Sequence, residues 1–381
     1  MNPGPTTSAP TAAPLRAALD ALLDGLPPRR AAAAVDRLMA GYRNREAPVL
    51  RDRADAVAYA AYRMPATFEA VAAALRQLAA RLPGWVPDGH LDLGGGTGAA
   101  AWAAAAVWPA ANAPGTGRGE RPTLVLDRAG PALDLGRELA ARAPDPHLRA
   151  AEWRRASLDA PGPLPPAGLV TASYVLNELA PPARDALVDA AAAAGTAVVL
   201  VEPGTPDGYL RVRAARDRLI AAGLTVLAPC PHDAACPITP GEDWCHVAAR
   251  VGRSALHRRV KGGVLPYEDE KFAYVAAARP AVTGTGEGPE ARVVRRPLLR
   301  KGLVLLDLCT REDGLRRQAV SKRHGADYRA ARAAEWGAPW PPDRDGERDH
   351  ELGHPGRHDY PSRPATGQDE RETRGGETAA E

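Results

Sequence analysis

The chain has 381 residues, 45% of them hydrophobic and 25% charged, with a net charge of +3. That makeup suits a globular protein of two or three domains and excludes a fibrous or wholly disordered chain. No window approaches the roughly 18 uncharged apolar residues of a membrane span. The Pro/Ala/Thr-rich start lacks the pattern of a secretory leader, so a cytoplasmic protein with no membrane contact is expected.

The charge is unevenly spread. Residues 338–381 hold eleven acidic and six basic residues, a net of −5 that leaves about +8 on residues 1–337. A basic body suits an anionic partner such as RNA. However, 45 of the 49 basic residues are Arg, a usage that a GC-rich genome also produces, so charge alone does not decide the matter.

Residues 1–13 read as disordered and 14–86 as a helical module. Leu15, Leu22 and Leu23, then Ala31–Ala40, then Ala54–Tyr62 follow a helical pattern. Pro65 is expected to break it, with Thr67 capping the next helix. Between residues 87 and 227 short apolar runs alternate with helical stretches. His90–Leu93 leads into a glycine loop, and Thr123–Asp127 ends in an acid. Leu169–Val175 runs into Leu176-Asn-Glu-Leu179, and Ala197–Glu202 is the most β-like run of all. This alternation predicts an α/β fold with a parallel, doubly wound sheet, whose ligand lies at the carboxyl ends of the strands. Pro109–Pro122 reads as a loop. Residues 228–337 read as a small basic module that holds the cysteines. It has β-like runs over 292–309 and a helical stretch onward to Trp336. Arg258–Lys261 is a basic run, and Arg250 to Lys301 holds twelve basic and five acidic residues. Residues 338–381 read as a disordered tail.

The first chemical signal is Asp92-Leu-Gly-Gly-Gly-Thr-Gly98. Its glycines permit positive φ and a close backbone approach to a ligand, and the next helix offers unpaired N–H groups. No Gly-Lys-Ser/Thr follows, which argues against a Walker loop, and G-x-G-x-G is not the dinucleotide spacing. The form resembles motif I of the class I S-adenosylmethionine-dependent methyltransferases. That resemblance implies a Rossmann-like class I methyltransferase sheet with S-adenosylmethionine as cofactor. Asp92, Gly94, Gly95, Gly96 and Gly98 would surround it, Asp127 would hold the ribose hydroxyls, and Asp159 would approach the adenine. A carboxylate facing a vicinal diol makes a charge-assisted bidentate contact. Asn177 and Glu178, where the fourth strand ends, are the candidate catalytic residues. They replace the Asn/Asp-Pro-Pro-aromatic of base-amino methylation. Pro229-Cys230 lies beyond the fifth strand, which disfavours a cytosine C5 nucleophile.

The second signal is the cysteine set. Cys230, Cys236 and Cys245 are separated by five and eight residues, and Cys309 follows after sixty-three more. Four thiolates complete a tetrahedral zinc site or a cubane [4Fe–4S] cluster. The spacing is not the Cys-x2-Cys of zinc ribbons, and both metals stay open.

Further matches run in order along residues 55–340. They are Tyr62-Arg-Met-Pro65, Ser173-Tyr-Val-Leu-Asn-Glu-Leu179, Val201-Glu-Pro-Gly-Thr-Pro206, Cys236-Pro237, Trp244-Cys-His246, Phe272-Ala-Tyr-Val275, Leu306-Asp-Leu-Cys-Thr310 and Val320-Ser-Lys322. With these the chain resembles the methyltransferase-like protein family of the mitochondrial small ribosomal subunit and its bacterial relatives. The resemblance implies association with the small ribosomal subunit and its rRNA. It also implies a four-cysteine site like that of a [4Fe–4S] cluster, with Cys230, Cys236, Cys245 and Cys309 as ligands. Two functions follow as expectations: an rRNA-directed methyltransferase, or a non-catalytic assembly factor on the same fold. Leu303 departs from the Gly-His-Val of relatives and touches neither site.

Overall fold

The computed structural model describes residues 12–24, 27–43, 52–110, 121–253, 265–283 and 288–342. Arg258–Lys261, most of the Pro109–Pro122 loop and nearly all of the expected tail lie outside the described residues.

Three helices come first: α1 (Ala13–Asp24), α2 (Pro28–Arg43) and α3 (Arg53–Arg81). Leu15, Ala18, Leu19 and Leu22 of α1 are buried, one face at helical spacing. Asp52 caps α3 by accepting from the Asp55 N–H at 2.9 Å, and Asp55 in turn accepts from Arg37 Nε of α2 at 3.0 Å. Contrary to the sequence expectation, α3 does not break at Pro65, and Thr67 is mid-helix rather than a cap. An interior proline costs about 3 kcal/mol. Met64 and Phe68, both buried, return roughly 1.5–3 kcal/mol each, so tertiary burial outweighs the local penalty.

The main sheet is built from β1 (His90–Leu93), β2 (Thr123–Asp127), β3 (Glu152–Arg155), β4 (Ala167–Ser173), β5 (Gly195–Pro203), β6 (Thr225–Ala228), β7 (Val247–Gly252) and β8 (Tyr267–Ala278). Its order is β3-β2-β1-β4-β5-β8-β6, with β7 also on β8. Strands β1 to β5 pair in parallel, whereas β8 runs antiparallel to β5, β6 and β7. This is the doubly wound, Rossmann-like sheet expected of a class I methyltransferase fold. On one face α3 packs together with α4 (Ala99–Val107) and α5 (Gly130–Ala140). On the other lie α7 (Pro181–Ala194) and α8 (Pro206–Ala221), and a short helix α6 (Pro146–Arg149) precedes β3.

Two expected boundaries are redrawn. Helices α1 and α3 share the core of the first face, so they form part of the sheet's cover. The segment beyond residue 227 supplies β7 and β8 to the main sheet. The reason is backbone accounting: β5 is buried along nearly its whole length, and its outer N–H and C=O groups need a partner strand.

After α9 (Pro280–Thr283), a second sheet forms from β9 (Ala291–Val293), β10 (Leu298–Arg300), β11 (Leu303–Thr310), β12 (Leu315–Ser321) and β13 (Pro339–Trp340). Central β11 has β12 on one side and β9 and β10 in succession on the other. Residues 315–321, expected to be helical, are strand β12, and the helix α10 is only Ala326–Ala333. Residues 339–340, expected in the tail, pair with Arg292 and Ala291, and Trp340 is buried. Along β11 burial alternates, with Val304, Leu306 and Leu308 packed towards α10 and Cys309 on the opposite face.

Candidate functional site

The glycine loop leaves β1 at the carboxyl end of the sheet. Gly94, Gly96 and Gly98 have φ of 68°, 53° and 85°, the left-handed region where a side chain is strained. The loop is also sterically closed to larger residues. A Cβ on Gly95 would lie 2.4 Å from Asp92 Oδ2, and one on Gly98 would lie 2.4 Å from the Trp153 ring.

Two carboxylates frame the loop. Asp127, at the end of β2, accepts from the Gly96 N–H at 2.9 Å and from the Ala129 N–H at 2.7 Å. Burial raises its pKa, and these bonds oppose the rise. Asp92 is fully buried on β1. Its Oδ1 accepts from Thr171 Oγ1 at 2.8 Å, and its Oδ2 has no protein partner. Burial pushes the Asp92 pKa up to about 7; the Thr171 bond opposes this and Asp127 adds to it. Because the Thr171 hydroxyl donates to Asp92, it accepts from His90 Nε2 at 2.8 Å, which fixes the His90 tautomer. Burial lowers the His90 pKa to about 3, with nearby Arg121 adding to the shift, so the ring is neutral.

These residues open on a cleft lined by Asp92, Gly94–Thr97, Asp127, Arg128 and Tyr174 among others. Tyr59, Met64 and Thr67 of α3 form one wall. The cradle fits an adenosyl cofactor on its own features: glycines that admit close approach, an orphaned Asp92 oxygen, and an acid at the end of β2. Asp159 is exposed. It lines a neighbouring recess that shares Gly94, Asp127, Arg128, Val175 and Glu178 with the cleft, and it accepts from Ser157 Oγ at 2.8 Å.

The two catalytic candidates separate. Glu178 lines the cleft, pairs with Arg128 at 3.0 Å, and has its pKa raised by burial. Asn177 is exposed and is absent from the cleft wall. Tyr174 joins the site without a mark in the sequence. Its φ of 58° is the one positive value outside glycine among the described residues. Its hydroxyl donates to Glu270 on β8 at 2.9 Å, and Arg63 of α3 holds the same carboxylate at 3.1 Å. Nothing local in the sequence marks this three-element clamp. Buried Glu202 accepts from the Leu176 N–H at 3.0 Å and from Arg211 at 2.7 Å, and so holds the turn that carries Glu178.

The four cysteines arrive from three places: Cys230 and Cys236 after β6, Cys245 before β7, and Cys309 on β11. All four line one apolar cavity, together with Tyr209, Arg216, His232, His246 and Arg292. Cys236 Sγ and the Tyr209 hydroxyl are 3.3 Å apart, and Cys309 Sγ lies 3.8 Å from His232 Nε2. Among the described residues no three His, Cys, Asp or Glu side chains are placed to hold a metal ion. Burial raises the Cys230 and Cys245 thiols and pushes Cys309 up to about 12. Arg216 is buried and donates to the His232 and Ala234 carbonyls at 2.8 Å each, fixing the loop between the first two cysteines. His246 stacks on Trp244 with centroids 5.4 Å apart and meets the edge of Trp336 at 4.8 Å. The donor set is soft and thiol-rich, suited to zinc or iron–sulfur rather than to calcium or magnesium.

Comparison with known proteins adds the lineage. The human mitochondrial ribosome assembly protein METTL17 is 30% identical over 300 residues, covering 73% of this chain and 61% of that protein. The Schizosaccharomyces pombe mitochondrial Rsm22-cox11 tandem protein 2 is 25% identical over 190 residues, 39% of this chain and 25% of its own length. The chain thus spans less than two thirds of these relatives. Among solved structures, the precorrin-6y C5,15-methyltransferase of Geobacter metallireducens aligns at 16% identity with a TM-score of 0.33, covering 54% of this chain and 87% of that one. The family profile described as mitochondrial small ribosomal subunit Rsm22 matches residues 53–341, across both the glycine loop and all four cysteines, and the chain belongs to that family.

Proposed function

We propose that the chain is a small-ribosomal-subunit assembly factor on a methyltransferase fold, binding rRNA, S-adenosylmethionine and a four-cysteine metal group. The observation that carries this reading is the unbroken family match over residues 53–341, which makes the cleft and the cysteine cavity parts of one inherited unit. Asp92, Gly94, Gly95, Gly96, Gly98 and Asp127 would hold the cofactor, with Asp159 at the rim of the adjoining recess. When bound, that cofactor supplies an electrophilic methyl group.

Cys230, Cys236, Cys245 and Cys309 would hold a [4Fe–4S] cluster, with zinc as the competing occupant. A single zinc needs thiolates about 2.3 Å from one point, whereas a cubane places each thiolate on its own iron. The names of the relatives refer to mitochondria. No helix among the described residues is long and apolar enough to cross a membrane. A reducing compartment that contains ribosomes, such as cytoplasm, suits the free thiols.

Sedimentation of the tagged chain from its source cells tests the reading. It should travel with small subunits or their precursors, and its absence from those fractions would overturn the proposal.

A second reading, methyl transfer to rRNA, is favoured by Glu178, an acid with a raised pKa in the cleft wall. Incorporation of labelled methyl into small-subunit RNA, lost in Glu178→Gln, would support it. Transfer that survives in that variant would remove Glu178 from the chemistry.

A further inference from the structure

The basic segment is less free than its composition suggests. Arg250 and Arg296 share Asp269, at 3.0 and 3.4 Å. Arg253 holds Glu268 at 2.9 Å, Arg295 pairs with Asp243, and Arg317 takes Asp307 at 2.6 Å. Among the described residues, four exposed cations without such partners gather at one end of the second sheet.

Two turns meet there. The β10–β11 turn carries Arg300 and Lys301, and a single 3-10 turn after β12 carries Lys322 and Arg323. The Lys322 N–H donates to the Gly302 carbonyl at 3.0 Å, and Leu303 is in register with Ser321. The Lys322 stem lies over Gly302, where an added Cβ would meet it at 3.7 Å. All four cations are exposed, and none makes an ion pair or side-chain hydrogen bond among the described residues. Like charges held side by side repel in the free protein, and a polyanion relieves that repulsion while releasing its own counterions.

We infer that this paired turn is a phosphate-binding surface for double-helical RNA. The inference rests on the ribosomal reading for the source of the RNA, and on the geometry above for its location. The turns, 300–302 and 322–325, contain no Phe, Tyr or Trp, and their one aromatic ring, His324, is tied back by the Ser321 N–H, which donates to its Nδ1 at 2.9 Å, so they offer no extended platform for unstacked bases. Arginine and lysine on a rigid sheet end suit the regular phosphate rows of a duplex. Leu298 and Leu299, exposed beside them, can lie against riboses in the wide, shallow groove of A-form RNA.

The test titrates the full chain with a duplex RNA of roughly 20 base pairs, and with a single strand of equal length, over a range of salt. The duplex should bind more tightly. Replacing Arg300, Lys301, Lys322 and Arg323 together by Ala should flatten the log–log salt slope by about three to four. Arg250→Ala with Arg296→Ala, whose charges are already paired, should leave the slope unchanged. Circular dichroism confirms that the variants are folded. An unchanged slope in the four-site variant, or a preference for single strands, would overturn the inference. So would loss of small-subunit association in Leu298→Ser/Leu299→Ser with retention in the four-site variant, which would mark a protein-binding surface. If the wild type travels with small subunits while the four-site variant keeps its slope, only the surface is wrong. If the wild type travels without them, the ribosomal reading fails, and the duplex titration still judges the surface.

Discussion

Asp127 accepts the Gly96 N–H at 2.9 Å, so the carboxylate at the end of β2 also braces the loop that leaves β1. A second bond, from the Ala129 N–H, holds the start of the next helix. One side chain therefore shapes the cleft and offers remaining acceptor capacity to a ligand.

Asp127→Ala should leave two backbone N–H groups without their acceptor. Each unsatisfied buried group costs about 1–3 kcal/mol. Thermal denaturation should show a clear loss of stability, and calorimetric titration should show no S-adenosylmethionine binding. Binding that survives would dismiss Asp127 as a cofactor residue.

Gly98→Ala combines a left-handed backbone with a clash against Trp153. The backbone term is about 1–2 kcal/mol and overpacking about 1–3 kcal/mol. Measured against Trp153→Leu alone, Gly98→Ala should cost less than it does in the wild type, because the clash is then gone. An equal cost in the two backgrounds would show that the backbone term dominates.

The buried pair His90 and Asp92 should give opposite pH dependences. His90 falls from 6.5 to about 3, so the unfolded chain binds more protons in that window and stability drops as pH falls through it. Asp92 rises from 3.8 to about 7, so the folded chain binds more protons there, and stability drops as pH rises towards 7. The two effects partly cancel in the wild type. Denaturant titrations should therefore show Asp92→Asn losing stability more steeply on acidification and His90→Asn gaining it. Parallel pH profiles in the two variants would contradict the assignment.

Cys309→Ser removes the one cysteine that the second sheet contributes to the shared cavity. Bound iron, acid-labile sulfide and zinc should be measured after anaerobic purification. Metal should fall sharply, and limited proteolysis should cut residues 288–342 sooner, because the ligand that closes a long loop is gone. Full retention of iron and of its charge-transfer absorption would exclude Cys309 as a ligand.

Glu202→Ala leaves Arg211 and the Leu176 N–H without their buried acceptor. Breaking such a pair costs about 3–5 kcal/mol, which equilibrium unfolding would detect. Glu202→Gln, which keeps an acceptor, should recover much of it.

The local signals are legible in the order of the amino acids. The strands β1, β2, β4 and β5 are apolar runs bounded by glycine, proline or an acid, and the glycine loop announces its own backbone freedom. The four cysteines are visible by spacing alone. The remaining features depend on partners far along the chain and arise only on folding. Strand β3 reads Glu-Trp-Arg-Arg and buries only Trp153, so no alternation marks it. Strand β8 begins with charged residues yet enters the main sheet because β5 needs a neighbour for its outer edge. Pro65 stays within a helix because burial on both sides outweighs its lost hydrogen bond. The Tyr174–Glu270–Arg63 clamp, the convergence of four thiols on one cavity, and the meeting of two basic turns each join residues that local propensity never compares. Pairing and burial are paid for between segments, and only the folded chain brings those segments together.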